Sequence, residues 1–128
     1  CKMFKCAREK GHKSCALCPD YPCGRIADMA EFKGFDTGKV WLAVGAEIAQ
    51  KGLDGFYPDY EARCLLLQEA LARYNDGRMK STLCRLFVTQ RLDTLRALMA
   101  EAREIPPGDP KAMGKAFKLL AAKHIQDA

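Results

Sequence analysis

Apolar residues recur at intervals of three and four from about Gly24 onward, and no segment alternates apolar and polar positions long enough to indicate a strand. This spacing predicts a first helix over residues 25–31. A second helix is expected to begin after Asp36, a good N-cap residue, and to end at Gly52, which tolerates a left-handed conformation. The only tryptophan of the chain, Trp41, lies on the apolar side of this helix, and we expect it in the core.

A third helix is predicted after a loop at residues 55–58, with Asp59 as its N-cap. Its apolar stripe has spacings of 4, 3, 4 and 3 and consists of Tyr60, Cys64, Leu67, Leu71 and Tyr74. The Asn-Asp-Gly sequence at residues 75–77 is typical of a turn, so we expect the helix to end there.

Three more helices are predicted in the remainder of the chain. One begins at about Met79, and another runs from Leu92 to a Pro-Pro-Gly sequence at residues 106–108. The last helix has Asp109 as its N-cap and Pro110 at its first position, where the missing N–H of proline costs nothing. Its inner face is expected to consist of Met113, Phe117 and Leu120. The predicted fold class is therefore all-α, with a body of about five to six helices.

The cysteines divide the chain unevenly, because five of the seven lie within the first 23 residues. These five are Cys1, Cys6, Cys15, Cys18 and Cys23. The other two, Cys64 and Cys84, fall on apolar helix faces, where we expect small core residues and not ligands. We therefore predict two parts, a cysteine-rich metal-binding head at residues 1–30, called the cysteine head below, and an α-helical body at residues 31–128.

The spacing of the five head cysteines, C-x4-C-x8-C-x2-C-x4-C, is typical of a thiolate metal site. Cys15 and Cys18 are separated by the two residues that let both sulfurs of a tight turn face one ion, and Cys6 and Cys23 complete a tetrahedron. Cys1 competes with Cys6 for the fourth position or serves a second site. Soft sulfur donors favour Zn²⁺, which we predict, and a [4Fe–4S] cluster is the alternative.

Positive side chains surround these cysteines and would offset the charge of a site with four thiolates. They are Lys2, Lys5, Arg8, Lys10 and Lys13. The formal net charge of +5 is too small to indicate a dedicated nucleic-acid binder, although the basic head and the last helix keep weak nucleic-acid binding open as an alternative. His12 could replace a cysteine as a ligand, but the flanking Gly11 and Lys13 favour a surface position.

The odd number of cysteines argues against a fully paired disulfide framework, and we expect a cytoplasmic protein. No apolar run approaches the roughly 20 residues of a membrane-spanning helix, so no membrane contact is predicted. The chain begins at Cys1 without an initiator methionine, which leads us to expect a fragment of a longer protein.

The sequence CKMFKCAREKGHKSCALCPDYPC at residues 1–23 resembles the later half of a cysteine-rich domain family of unknown function found in bacteria and archaea. Members of that family carry a similar KCA.EKG...C..C.EYPC signature, and the resemblance covers residues 1 to about 30. It implies that Cys1, Cys6, Cys15, Cys18 and Cys23 are the functional positions. It also implies further cysteines upstream, since family members usually have them.

Motifs for catalysis are absent from the sequence, which has no Gly-x-Ser-x-Gly elbow, no Walker loop and no His-Glu-x-x-His. We therefore do not expect an enzyme. The sequence predicts a small metal-binding protein, most simply a zinc protein, that acts as an interaction or assembly module with a protein partner. An iron–sulfur protein in electron transfer or redox sensing is the alternative.

Overall fold

The computed structural model describes residues 1–31 and 37–126, and within these ranges the chain is helical with no strand. The helices are α1 (Lys2–Glu9), α2 (Gly24–Ala30), α3 (Thr37–Tyr74), α4 (Lys80–Thr89), α5 (Leu92–Ala102) and α6 (Pro110–Gln126), with a 3₁₀ turn at Cys15–Leu17. The predicted all-α fold is confirmed for these residues. The proposed N-cap Asp36 lies outside them.

The chain divides into two compact units, Cys1–Pro58 (the first unit) and Asp59–Ala128 (the second unit). The first unit therefore extends beyond residue 30, where the sequence placed the end of the cysteine head. The reason is that buried Ala16 of the head packs in one apolar cluster with Ile48 and Phe56 of α3. The head alone offers few apolar side chains, so it shares the core of its unit with the first part of α3.

Helix α3 is interrupted at Gly52, whose φ of 70° confirms the predicted left-handed position. The helix resumes directly afterwards, so the predicted loop at residues 55–58 and the predicted N-cap at Asp59 are both wrong. The helical conformation of this stretch is favoured because it buries Phe56, which is 6% exposed. The prediction for Trp41 is also wrong, since this side chain is 51% exposed and lies outside the apolar cluster of the first unit.

The second unit has its own core, formed by the end of α3 together with α4, α5 and α6. The rings of Tyr74 and Phe117 stack at its centre, with 4.7 Å between their centroids and an angle of 18° between their planes. The Tyr74 hydroxyl donates a hydrogen bond of 2.6 Å to the carbonyl oxygen of Ala102. The other fully enclosed large side chains are Phe87, Met79, Leu83, Leu95, Leu98 and Met99.

The predicted boundaries and faces of the second unit are largely correct. The turn at residues 75–77 is present, with Gly77 at a φ of 90°. Asp109 caps α6 as predicted, because its Oδ2 accepts a hydrogen bond of 3.0 Å from the backbone N–H of Ala112. The buried face of the second half of α3 differs from the predicted apolar stripe. Tyr60, a predicted member, is 40% exposed, whereas Ala70, which was not predicted, is buried.

Candidate metal centre

Four of the five head cysteines line one small cavity, which we call the cysteine cavity. Its volume is about 40 Å³, and its lining includes Cys6, Cys15, Cys18 and Cys23. Cys6 lies on α1, Cys15 begins the 3₁₀ turn and Cys18 follows it, and Cys23 is the N-cap of α2. The fold thus brings thiols from three separate local elements to a single place.

The 3₁₀ turn places Cys15 and Cys18 on one tight bend. Ser14 starts the turn, since its Oγ accepts a hydrogen bond of 3.2 Å from the N–H of Ala16. The N–H of Cys18 closes it by donating to the carbonyl oxygen of Cys15 at 3.0 Å. Ala16, between the two cysteines, is buried. Because the side chain of Ala16 is small, the turn can pack against the apolar cluster of the first unit. Cys15 and Cys18 of the same turn line the cavity.

At Gly11 the chain bends back after α1, so that α1 lies close to the 3₁₀ turn. It has a φ of 75°, a conformation that glycine adopts without a steric penalty, and it directly follows the C-cap of α1, Lys10. The following residue, His12, donates its backbone N–H to the carbonyl oxygen of Ala7 at 2.8 Å. Helix α1 consequently contacts the 3₁₀ turn, and Cys6 reaches the same cavity as Cys15.

Tyr21 fixes the segment between Cys18 and Cys23 to helix α3. Its backbone N–H donates to the carbonyl oxygen of Cys18 at 3.0 Å, and its hydroxyl is 3.5 Å from the carbonyl oxygen of Leu42 on α3. The ring lies so close to Gly45 that a Cβ there would overlap it. Burial raises the pKa of the Tyr21 hydroxyl, so the ring is neutral at physiological pH.

Lys10 and Asp20 form a charged pair at the edge of the cysteine cavity. The Nζ of Lys10 is 2.9 Å from Oδ2 of Asp20 and 3.8 Å from Sγ of Cys18. The hydrogen bond from Lys10 lowers the pKa of Asp20, and the same bond raises the pKa of Lys10. Both residues line the cavity, so a cation and an anion stand beside the thiol of Cys18.

Two of the thiols contact oxygen atoms of neighbouring residues. Cys15 Sγ is 3.7 Å from the carbonyl oxygen of Met3, and Cys18 Sγ is 3.9 Å from Oδ2 of Asp20. In the part of the chain that the structure describes, no group of three or more His, Cys, Asp or Glu side chains is already arranged to hold a metal ion. Burial raises the pKa of the Cys15 thiol, and its cysteine neighbours raise it further. Binding a cation there would require thiol side chains to turn away from their present partners and toward one centre.

The other cysteines lie outside the cysteine cavity, and the burial of His12 differs from the predicted one. Cys1 is exposed and is not part of the lining of the cysteine cavity. His12, which we expected at the surface, is half-buried and belongs to the lining. Cys64 and Cys84 are in the second unit and are only partly buried, so neither belongs to its fully buried core.

Sequence reasoning missed the pairing of Lys10 with Asp20 and the anchoring of Tyr21. The sequence contained one usable signal, since Asp20 is the only acidic residue between Cys6 and Cys23 apart from Glu9. Its position directly inside the Cys18–Cys23 segment made it a candidate partner for one of the surrounding lysines.

No protein-family model, curated protein or solved structure matches the chain. The resemblance of residues 1 to about 30 to a cysteine-rich family therefore stays a prediction. Among the described residues, no helix is both long enough and apolar enough to cross a membrane.

Proposed function

We propose that this protein binds a single Zn²⁺ ion through the thiolates of Cys6, Cys15, Cys18 and Cys23. The observation that carries this proposal is the convergence of these four side chains on one cavity from three local elements. A set of four thiolates suits a structural zinc site and disfavours hard cations such as Mg²⁺. Each thiol would release its proton to water as its sulfur binds the metal.

The volume of the cysteine cavity favours one ion over a cluster. At about 40 Å³ it is only a few times larger than a single water-sized probe, which occupies roughly 10–15 Å³. A [4Fe–4S] cluster adds eight heavy atoms and would need the surrounding loops to spread. The same four sulfur donors would serve an iron–sulfur cluster chemically, so the iron–sulfur protein remains the alternative for the experiment to decide.

Metal binding would contribute to folding in the first unit. Among the described residues, the apolar cluster there has three buried members, Ala16, Ile48 and Phe56. A structural zinc site typically contributes about 10 kcal/mol of folding free energy in small peptides. This is large compared with the stabilisation that so small an apolar cluster can supply. We propose that the bound metal holds the cysteine head in the conformation that packs on α3.

The role that fits such a unit is an interaction or assembly module. Among the described residues of the first unit, three aromatic side chains are largely exposed, namely Phe4 at 66%, Trp41 at 51% and Tyr57 at 58%. Exposed aromatic residues are enriched at protein–protein interfaces, where they supply large contact area. These side chains support binding to a protein partner.

Metal analysis of protein purified without added metal tests the proposal. We expect about one zinc per chain in the wild type, loss of most of it in Cys15→Ser, and full retention in the control Cys84→Ser, which alters a cysteine of the second unit. Protein with intact thiols but neither zinc nor iron would overturn the proposal. Iron at several atoms per chain, with a visible absorption bleached by dithionite, would replace zinc by the iron–sulfur alternative.

A further inference from the structure

Lys10 occupies a position that the four-cysteine site alone does not explain. It is the C-cap residue of α1, four positions after Cys6, and its ammonium group reaches across to the segment that follows Cys18. There it is 2.9 Å from Oδ2 of Asp20 and 3.8 Å from Sγ of Cys18. The third side of this triangle is the distance of 3.9 Å between Cys18 Sγ and Asp20 Oδ2.

The charge of one member of this triangle, the sulfur of Cys18, would change when Cys18 binds a metal. The thiol of Cys18 has a proton that it can share with Asp20, but a thiolate has none. The sulfur and the carboxylate would then be two anionic groups about 4 Å apart, and like charges at that distance repel each other. Lys10 is the cation that stands between them, so its ammonium group can donate to both.

We infer that Lys10 is a positioning residue of the metal centre, which donates an N–H···S hydrogen bond to the Cys18 thiolate and offsets the charge of Asp20. This inference rests on the proposed function. Outer-shell groups that hydrogen-bond to metal ligands commonly affect metal affinity by 10- to 100-fold, so the contribution of Lys10 is measurable.

A competing explanation is that Lys10 acts only through its ion pair with Asp20, which would tie α1 to the loop. The two explanations differ in what they predict for Asp20. If the ion pair is the function, Asp20→Asn weakens metal binding as much as Lys10→Met does. If Lys10 supports the thiolate, Asp20→Asn leaves binding intact or strengthens it, and it restores part of the binding when added to Lys10→Met.

The experiment measures the dissociation constant for Zn²⁺ in competition with a chromophoric chelator, on the full chain, for the wild type and five variants. The variants are Lys10→Met, Lys10→Arg, Asp20→Asn, the double variant Lys10→Met/Asp20→Asn, and Lys13→Met as the control. Lys13→Met removes the same charge from an exposed residue of the same segment that does not line the cavity. Thermal unfolding of each metal-free variant is measured in parallel.

We expect the dissociation constant to rise about 10-fold in Lys10→Met. Lys13→Met should change it by less than about 3-fold, because the charge of Lys13 is exposed to solvent and lies outside the cavity lining, where salt screens it. Lys10→Arg should lie close to the wild type, and the double variant should lie between Lys10→Met and the wild type, because it removes the repelling carboxylate but not the loss of the N–H···S donor. Equal effects of Lys10→Met and Lys13→Met, or a double variant as weak as Lys10→Met, would overturn the inference while leaving the zinc site in place. A wild type without zinc affinity would instead overturn the proposed function.

Discussion

The ring of Tyr21 lies against the backbone of Gly45, in the space that any larger side chain on that face of α3 would fill. Tyr21 belongs to the segment between Cys18 and Cys23, so this contact joins the cysteine head to the helix that carries its apolar support. The hydroxyl adds a weak hydrogen bond of 3.5 Å to the carbonyl oxygen of Leu42. Gly45 thus determines how closely the head approaches α3.

The substitution Gly45→Ala is expected to destabilise the first unit. Its methyl group would overlap the Tyr21 ring and push the segment after Cys18 away from α3, and overpacking of this kind costs about 1–3 kcal/mol. The matched control is Gly55→Ala in the same helix, where the added Cβ faces only the side chain of Lys51. This control should change stability little, because the helix preference of alanine, about 0.5–1 kcal/mol, offsets the close contact of 3.1 Å between the new Cβ and the Cβ of Lys51. The free energy of unfolding of both variants is measured by chemical denaturation. Equal stability of Gly45→Ala and Gly55→Ala would show that Tyr21 does not need the space at Gly45.

The substitution Tyr74→Phe tests the buried hydrogen bond of the second unit. The Tyr74 hydroxyl donates to the carbonyl oxygen of Ala102, which also accepts a bond of 3.0 Å from the N–H of Ile105. Since that carbonyl keeps one partner, the expected loss is about 1 kcal/mol and not the larger cost of an unsatisfied buried group. The stacked Phe117 provides the comparison, because Phe117→Ala should cost about 3–5 kcal/mol through the cavity it leaves. Urea unfolding that ranked the two variants in reverse order would contradict this assignment.

The sequence predicted the second unit better than the first, and the reason is physical. The start of α6 at Asp109 and Pro110 depends on local backbone chemistry that neighbouring residues specify, so this N-cap could be predicted from the sequence. The loop predicted at residues 55–58 failed because Phe56 is buried against the distant Ala16, and this tertiary contact outweighs the turn tendency of glycine and proline. The lining of the cysteine cavity illustrates the same contrast. The spacing predicted that Cys15 and Cys18 lie on one turn, whereas the presence of Cys6 in the lining in place of Cys1 depends on how α1 folds back.

We expect the ion pair between Glu69 and Arg103 to stabilise the folded protein to an extent that depends on pH. Arg103 donates two hydrogen bonds of 2.9 and 2.8 Å to the Glu69 carboxylate, and these hold the pKa of Glu69 below its ordinary value. A carboxyl group whose pKa is lowered by folding stabilises the protein above its unfolded pKa of about 4.3. This stabilisation is lost as the pH falls through the lower folded pKa.

Thermal unfolding of the wild type and of Glu69→Gln at pH 7 and pH 3 checks this. The variant should melt below the wild type at pH 7, and the difference should shrink at pH 3, because the pH has then fallen below the unfolded pKa and toward the lowered folded pKa of Glu69. Glu104→Gln, at an exposed position of the same unit, is the control and should show little difference at either pH. A gap between the wild type and Glu69→Gln that is the same at both pH values would show that the variant acts through lost packing and not through charge.

The proposed zinc site predicts that a zinc chelator loosens the first unit and leaves the second unit intact. The core of the second unit consists of its own residues, such as Leu95 and Leu98, and includes no residue of the cysteine head. Ala16, by contrast, lies between Cys15 and Cys18 in the chain and is one of the three buried members that the described residues contribute to the cluster between the head and α3. Hydrogen exchange on the full chain, with and without a strong zinc chelator, should therefore show faster exchange around Ala16 and α1 and unchanged exchange in α5. Equal acceleration in both units would contradict two separate cores, and no acceleration around Ala16 would contradict a metal that supports the fold of the head.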